Sequence, residues 1–402
     1  MVAGTLLGLG VHRLRSRTPA PEALDAARTL VVYNAISGDL SVLDAPSAPA
    51  TAARTLPCVH LHRWSLRVGT HDDHLVTLDS QDPAIELVSL RMLRRIADGR
   101  EPCVAGQNRV ARRVAIASRR VPYMGLLVGS RLYVSDFSAN VIEVYDWVAG
   151  TANEPPDLRF EREIRFPAAR NLGLSDMAAR GETLLVAANG YFCFERDCPS
   201  GRLAESHLFF VPLGETGTGP FPEARPANLN GAGLYTHAPT EAPYVISAGD
   251  FGGGYSSLQR VLPDRTLGPE ITLLRNAAAK SAFALTDDTF IVLQFSGEHV
   301  FLVDARRDRL RRILRFDGAA FVDVPLDTAA LPDRASADFQ DLLADPGSSG
   351  RFYLIDAKGE RLLHLRTDNV GSTLEVVRVT ALRTEAYRSF PRWGFWLDGE
   401  GR

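Results

Sequence analysis

Apolar and polar residues alternate along this chain in short runs, the period-two signature of strands with one buried face. Residues 126–166 read LLVGSRLYVSDFSANVIEVYDWVAGTANEPPDLRFEREIRF; runs at 132–135 and 141–145 flank a polar turn, and a third follows a loop. Comparable groups recur at about the 40–50-residue spacing of a propeller blade. The clearest units are 121–166, 170–213, 278–316 and 337–382. In the last, DFQDLLAD, RFYLID, RLLHLRT and LEVVRVTAL supply four successive strands; in 278–316, SAFALT, TFIVLQF, HVFLVDA and LRRILRF do the same. Units at 58–115 and 228–275 repeat the pattern with less regular outer strands.

The two ends complete the set. Residues 29–43 carry two middle strands with no innermost strand before them, and the chain finishes on FPRWGFWLDGEGR, an aromatic strand without a following partner. Pairing them gives a blade built from both termini, which closes the ring and removes exposed edges. The expectation is an all-β, seven-bladed β-propeller of four-stranded antiparallel blades, one domain over 29–402 behind a tail at 1–28; merging the weaker units would give six. Residues 20–28 and 91–98 reach at most short helical turns, and 214–227 and 317–336 read as inter-blade loops.

GSRLYVSDFSANVIEVYDW is similar to the YVTN-type repeat, in which a Tyr-Val strand, an Asn-containing turn and a Val-x-Val-x-Asp strand recur. TLVVYNAISGDLSVLDA and FIVLQFSGEHVFLVDA are weaker versions of the same phrase. At the level of pattern the chain resembles the YVTN/lactonase-like propeller superfamily. The resemblance implies the fold; its members include binding scaffolds as well as lactone hydrolases.

Composition narrows the partners. The 402 residues have a net charge of −3, which gives no overall reason to expect nucleic acid. Basic residues are nearly all arginine: Lys280 and Lys358 are the only lysines. Residues 1–10 are apolar but lack a basic segment before them, so they read as a frayed tail or the remnant of an export signal. No segment reaches the roughly 18 apolar residues of a membrane span. Cys193 and Cys198 are placed for a hairpin staple, and Cys58 and Cys103 for a second bridge if the fold brings them together. That usage favours a periplasmic or secreted monomer over a cytoplasmic one with free thiols.

Candidate chemistry is sparse. His60 and His62 share a strand face by alternation, and His71 and His74 bracket Asp72 and Asp73 in a turn, which reads as solvated rather than as a metal site. Asp176 in LGLSDMAAR and Asp341 in DFQDLLAD occupy equivalent places on presumed innermost strands, with Gly125 as their small counterpart. Across a central channel the two carboxylates can share a proton or hold a hard cation such as calcium, with Asn171 and Asn228 adding neutral oxygens. The alternative is that they accept backbone amides. Arg170 and Lys280 suit an anionic ligand at the same entrance, with Tyr123, Phe339 and His237 as walls or proton carriers.

The glycine run 249–257 lacks the helix a phosphate loop needs. The arginine cluster at 306–315 has interleaved acids and no aromatic series, so it reads as a solvated blade edge. No G-x-S-x-G elbow or four-ligand Cys/His cluster appears. The leading reading is an exported, non-catalytic propeller that binds a small ligand or a protein partner. The alternative is a lactonase-like hydrolase with a divalent cation at the channel mouth, served by Asp176 and Asp341.

Overall fold

A computed structural model describes residues 28–44, 53–79, 81–108, 110–136, 139–151, 155–167, 171–190, 205–249, 255–275, 278–325, 336–382 and 390–397. Seven antiparallel sheets form the blades of a propeller. Blade 1 is closed by both ends of the chain: Pro391–Trp396 is its inner strand and pairs with Thr29–Asn34, followed by Asp39–Asp44 and Arg54–His60. The inner strands of blades 2 to 7 are Leu66–His71, Met124–Val128, Leu174–Arg180, Gly231–His237, Ala279–Thr286 and Phe339–Ala344. The terminal closure and the number of blades are therefore as the alternation implied.

Four details differ from the sequence reading. Arg54–His60 is the outer strand of blade 1 rather than part of blade 2. Leu90–Ala97 is a full helix, capped by the Ser89 hydroxyl, which accepts from the Met92 amide. Glu223–Ala224, expected as loop, is the short outer strand of blade 4. Blade 6 carries a fifth strand, Phe321–Val324, where a loop was expected.

The second strand of each blade is the most deeply buried. TFIVLQ (Thr289–Gln294) and TLVVYN (Thr29–Asn34) are buried at every position, because both faces of such a strand lie against neighbouring blades. Their side chains form clusters between blades: Ile291, Leu293 and Phe316 meet Phe339, Leu354 and Leu363 between blades 6 and 7. The helix puts Leu90, Leu93 and Ile96 onto the blade 1 cluster, and Arg94 donates from Nε to the Leu397 carbonyl at 2.6 Å. Beside it Cys58 and Cys103 are bonded, with Cα atoms 5.1 Å apart and a separation of 45 positions in sequence. Closing a loop of that length stabilises the fold by about 2–5 kcal/mol. Cys193 and Cys198 lie outside the described residues. No helix among the described residues is long and apolar enough to cross a membrane.

Candidate functional site at one channel mouth

The inner strands share a local irregularity that sets which side chains face the channel. Near the start of five of them one residue is extra relative to the neighbouring strand: Ser175, Ala232, Lys280, Gln340 and Arg392 are skipped in the pairing. A β-bulge of this kind re-aims side chains and is common at the rims of closed sheets. The following residues, Asp176, Gly233, Ser281, Asp341 and Trp393, return to the ladder.

Asp176 and Asp341 are equivalent, as expected, and they have the same job. Each closes over its own next amide: Asp176 Oδ1 accepts from Met177 N at 2.8 Å, and Asp341 Oδ1 from Leu342 N at 3.0 Å. Each then reaches the inner strand of the next blade, where Asp176 Oδ2 accepts from Leu234 N at 2.8 Å and Asp341 Oδ2 from Gly394 N at 3.1 Å. These are inter-blade staples. A Cβ at Gly394 would stand 3.0 Å from the Val31 carbonyl oxygen and one at Gly233 2.9 Å from that of Lys280, so the crowding at the axis requires glycine there. Asp341 also lies 3.5 Å from the Arg67 guanidinium, which donates to the Gly394 carbonyl as well. Burial pushes the Asp176 carboxyl up to about 7 against the pull of its two amide bonds. It raises Asp341 too, with Arg67 opposing. Gly125 is not their counterpart: it pairs with Val134, and Met124, opposite Ser135, holds the equivalent place.

The other predicted oxygen ligands are committed elsewhere. Asn228 Nδ2 donates to the Tyr255 carbonyl and to Ser257 Oγ at 3.2 Å, while its Oδ1 accepts from Leu229 N at 2.7 Å. Asn171 Oδ1 accepts from Gly173 N at 2.9 Å. Each of the four side chains expected to hold a cation thus secures its own piece of backbone.

The bulge residues themselves form the more open chemistry. Lys280 Nζ donates to Gln340 Oε1 at 3.0 Å and lies 5.9 Å from the Phe295 ring centroid. Arg392, on the blade 1 inner strand beyond that of Gln340, donates to the Trp64 carbonyl at 3.1 Å and lies over the Trp64 ring at 5.7 Å. Among the described residues, neither cation has a carboxylate within ion-pair distance. Burial pushes Lys280 down to about 8; Asp338 pulls it up, Arg392 pushes it down and Asp341 pulls it up. Burial likewise lowers Arg392, against Tyr33 and Tyr123. Tyr123, raised by burial and then by Asp176, joins the same mouth.

Aromatic side chains complete the rim. Trp64, Tyr123 and Phe295 are 36, 41 and 52% exposed, well outside the range of core aromatics. Trp64 also holds a left-handed backbone (φ 62°), a cost for a bulky residue that persists only where the surroundings impose it. Here they do: Trp393 Nε1 donates to the Ser65 carbonyl at 2.9 Å, and Ser65 Oγ donates to the buried Glu86 at 2.9 Å. Arg392 and Trp64 were not among the residues picked from sequence; their only signal was an arginine amid the aromatics of FPRWGFW and a tryptophan beside it in HRWS.

Of the remaining predicted residues, Phe339 packs the core against Phe316 and Phe321 instead of walling the channel. His237 is buried at the opposite end of its inner strand, between the Tyr235 hydroxyl and the Asp287 carbonyl, each at 3.0 Å. Arg170 lies outside the described residues.

The histidine-rich segment does produce one compact group. Ligand atoms of His62, Asp79 and Asp82 lie within 4.8 Å of one another. Asp79, however, already accepts from the Gln81 and Asp82 amides at 2.9 and 3.0 Å, meets His62 Nδ1 at 2.8 Å, and takes Arg113 at 2.7 Å. With Arg113 seated there the group is an ion-pair network. His71 instead packs edge-on against Trp147 at 4.8 Å. Away from the channel, a cavity of about 300 Å³ on blade 7 is lined by Arg351, Tyr353, His364, Arg366 and Arg378 among others. There Arg366 pairs with Glu375 at 2.6 Å and Arg378 donates to Thr380 at 3.2 Å.

No family model and no curated protein matches the chain. Solved structures do. One similar structure is a protein from Bacteroides fragilis named as a candidate 6-phosphogluconolactonase, 12% identical with a TM-score of 0.57, covering 94% of this chain and 100% of that one. Another is a protein from Lactobacillus plantarum, 10% identical with a TM-score of 0.56, covering 93 and 100%. A third, also named as a candidate 6-phosphogluconolactonase, comes from Bacteroides uniformis; it is 9% identical with a TM-score of 0.53, covering 92 and 99%. At these identities the likeness is one of fold.

Proposed function

We propose that this propeller binds a small organic anion at the mouth framed by Lys280, Gln340, Arg392, Trp64, Tyr123 and Phe295. The observation that carries the reading is the placement of two half-buried cations on the inner strands of blades 6 and 1, either side of the Gln340 strand of blade 7, one braced by a neutral amide and the other by a backbone carbonyl. A cation held this way keeps its charge available for a ligand carboxylate or phosphate. The exposed aromatic faces suit the body of such a ligand, a sugar ring for example. Each charge-assisted contact is worth roughly 1.5–3 kcal/mol, so Lys280→Met or Arg392→Met weakens binding by about ten- to a hundredfold. Calorimetry with phosphate- and carboxylate-bearing sugars tests this; unchanged affinity in both variants would sink the assignment.

A second reading is lactone hydrolysis at the same mouth, a role consistent with the names of two of the similar structures. The observation favouring it here is Asp176, whose carboxyl is raised to about 7 beside the rim and is felt by Tyr123. A carboxylate poised there suits a general base for water, and the cations suit the developing oxyanion. Turnover of a sugar lactone that disappears in Asp176→Asn, with ligand binding retained, would establish it. Turnover equal in wild type and Asp176→Asn would remove Asp176 from the chemistry. An exported setting suits the Cys58–Cys103 bridge; the intact mass of protein recovered from the envelope, with and without reductant, checks it.

A further inference from the structure

One of the two lysines in a chain of 45 basic residues stands at the channel mouth, where arginine otherwise supplies almost all positive charge. Its surroundings differ from those of a lysine that serves as a counter-ion. Among the described residues Nζ has one neutral acceptor, Gln340 Oε1, and an aromatic face beneath it. Asp338 and Asp341 act on it only from beyond ion-pair contact, and Arg392 repels it from blade 1, across the blade 7 inner strand. Arginine could satisfy an anion equally well but cannot lose its proton; lysine can, and then becomes a nucleophile.

We propose that Lys280 is an amine nucleophile that condenses with an aldehyde or ketone carried by the anion bound at this mouth. This rests on the anion-binding reading above and adds a substrate class to it. The Nζ lone pair forms a C–N bond to the carbonyl carbon. A proton passes from nitrogen to the resulting alkoxide, and the carbinolamine then loses water to leave an imine. No electrons change hands, and hydrolysis reverses the step. Arg392 would hold the anionic group, and the position of Lys280 over Phe295 keeps bulk water from one side of the amine. The fall in Lys280 to about 8 raises the fraction of free amine at neutral pH.

The chain itself provides the control, because Lys358 is exposed on a turn of blade 7. Pyridoxal 5′-phosphate, an aldehyde with a phosphate, is incubated with the full chain at pH 7, trapped with borohydride and mapped by mass spectrometry. The expected result is an adduct on Lys280 that forms faster than on Lys358, competes with inorganic phosphate and is absent in Lys280→Arg. Binding of pyridoxine 5′-phosphate, which has the phosphate but no aldehyde, is measured in parallel by calorimetry. Binding without a preferential Lys280 adduct overturns the imine and leaves the anion site standing. An adduct that phosphate does not slow overturns the coupling to an anion. Neither binding nor adduct overturns both readings.

Discussion

Asp176 and Asp341 sit one residue past the bulges of blades 4 and 7, whereas Lys280 and Arg392 are the bulge residues of blades 6 and 1. That one-residue difference separates two uses of the same mouth. The residue after the bulge meets the joint between blades, where unpaired amides of the next inner strand wait for an acceptor; Leu234 and Gly394 find theirs in the two acids. The bulge residue is released from the ladder, and when it is long and charged it finds, among the described residues, a neutral partner and an aromatic face. The acids therefore belong first to the architecture and the cations to whatever enters the channel.

Removing an acid should expose the architectural role most strongly. Asp341→Ala would leave the Gly394 amide without its acceptor and the Arg67 guanidinium with the Gly394 carbonyl but no counter-charge inside the ring, at a cost of about 2–4 kcal/mol. A melting point that falls by several degrees, in a protein that still runs as a monodisperse species, is the expected outcome. A melting point equal to wild type would mean that the joint between blades 7 and 1 does not depend on the staple.

Among the described residues Asp176 has no arginine to match Arg67, and its effect should appear in pH rather than in simple deletion. Its folded carboxyl is raised from 3.8 to about 7, so between those values the folded state holds a proton that the unfolded chain has released. Its contribution is full below about pH 4 and is lost as pH rises through about 7. Urea midpoints measured across that window should decline in wild type, and Asp176→Asn should flatten this part of the profile. Parallel profiles for the two proteins would place the titration elsewhere.

The architecture was legible because alternation survives in the strands that matter most. TLVVYN, TFIVLQ and RFYLID are buried almost throughout and announce the second strand of each blade. The equivalence of Asp176 and Asp341 was legible for the same reason. Function was harder to read because a bulge breaks period two: a face assigned by alternation is inverted one residue later. Phe339, assigned to the channel, lies in the core, while Arg392, passed over, lies at the rim. Trp64 sits in a loop, where alternation carries no information about direction. The outer strand Glu223–Ala224 was hidden by its length of two residues.

The smallest effect on stability, and the one that most sharply separates cations from acids, is expected at Lys280. Its amine falls from 10.5 to about 8 on folding, so below pH 8 the fold carries a charge that it disfavours. Between about 8 and 10.5 the unfolded chain binds the extra proton, and stability rises with pH across that interval. Lys280→Met keeps the stem that covers Phe295 and discards the charge, so it should match wild type or exceed it by up to about 1 kcal/mol at pH 7. That gain should shrink to nothing by about pH 10, where wild-type Lys280 is neutral in the fold. The same variant binds the anion about ten- to a hundredfold more weakly. A residue whose replacement improves the fold while weakening binding is held at the mouth for what it does there; if Lys280→Met instead melts several degrees lower at pH 7, Lys280 is another staple, and the distinction between the two halves of the mouth disappears.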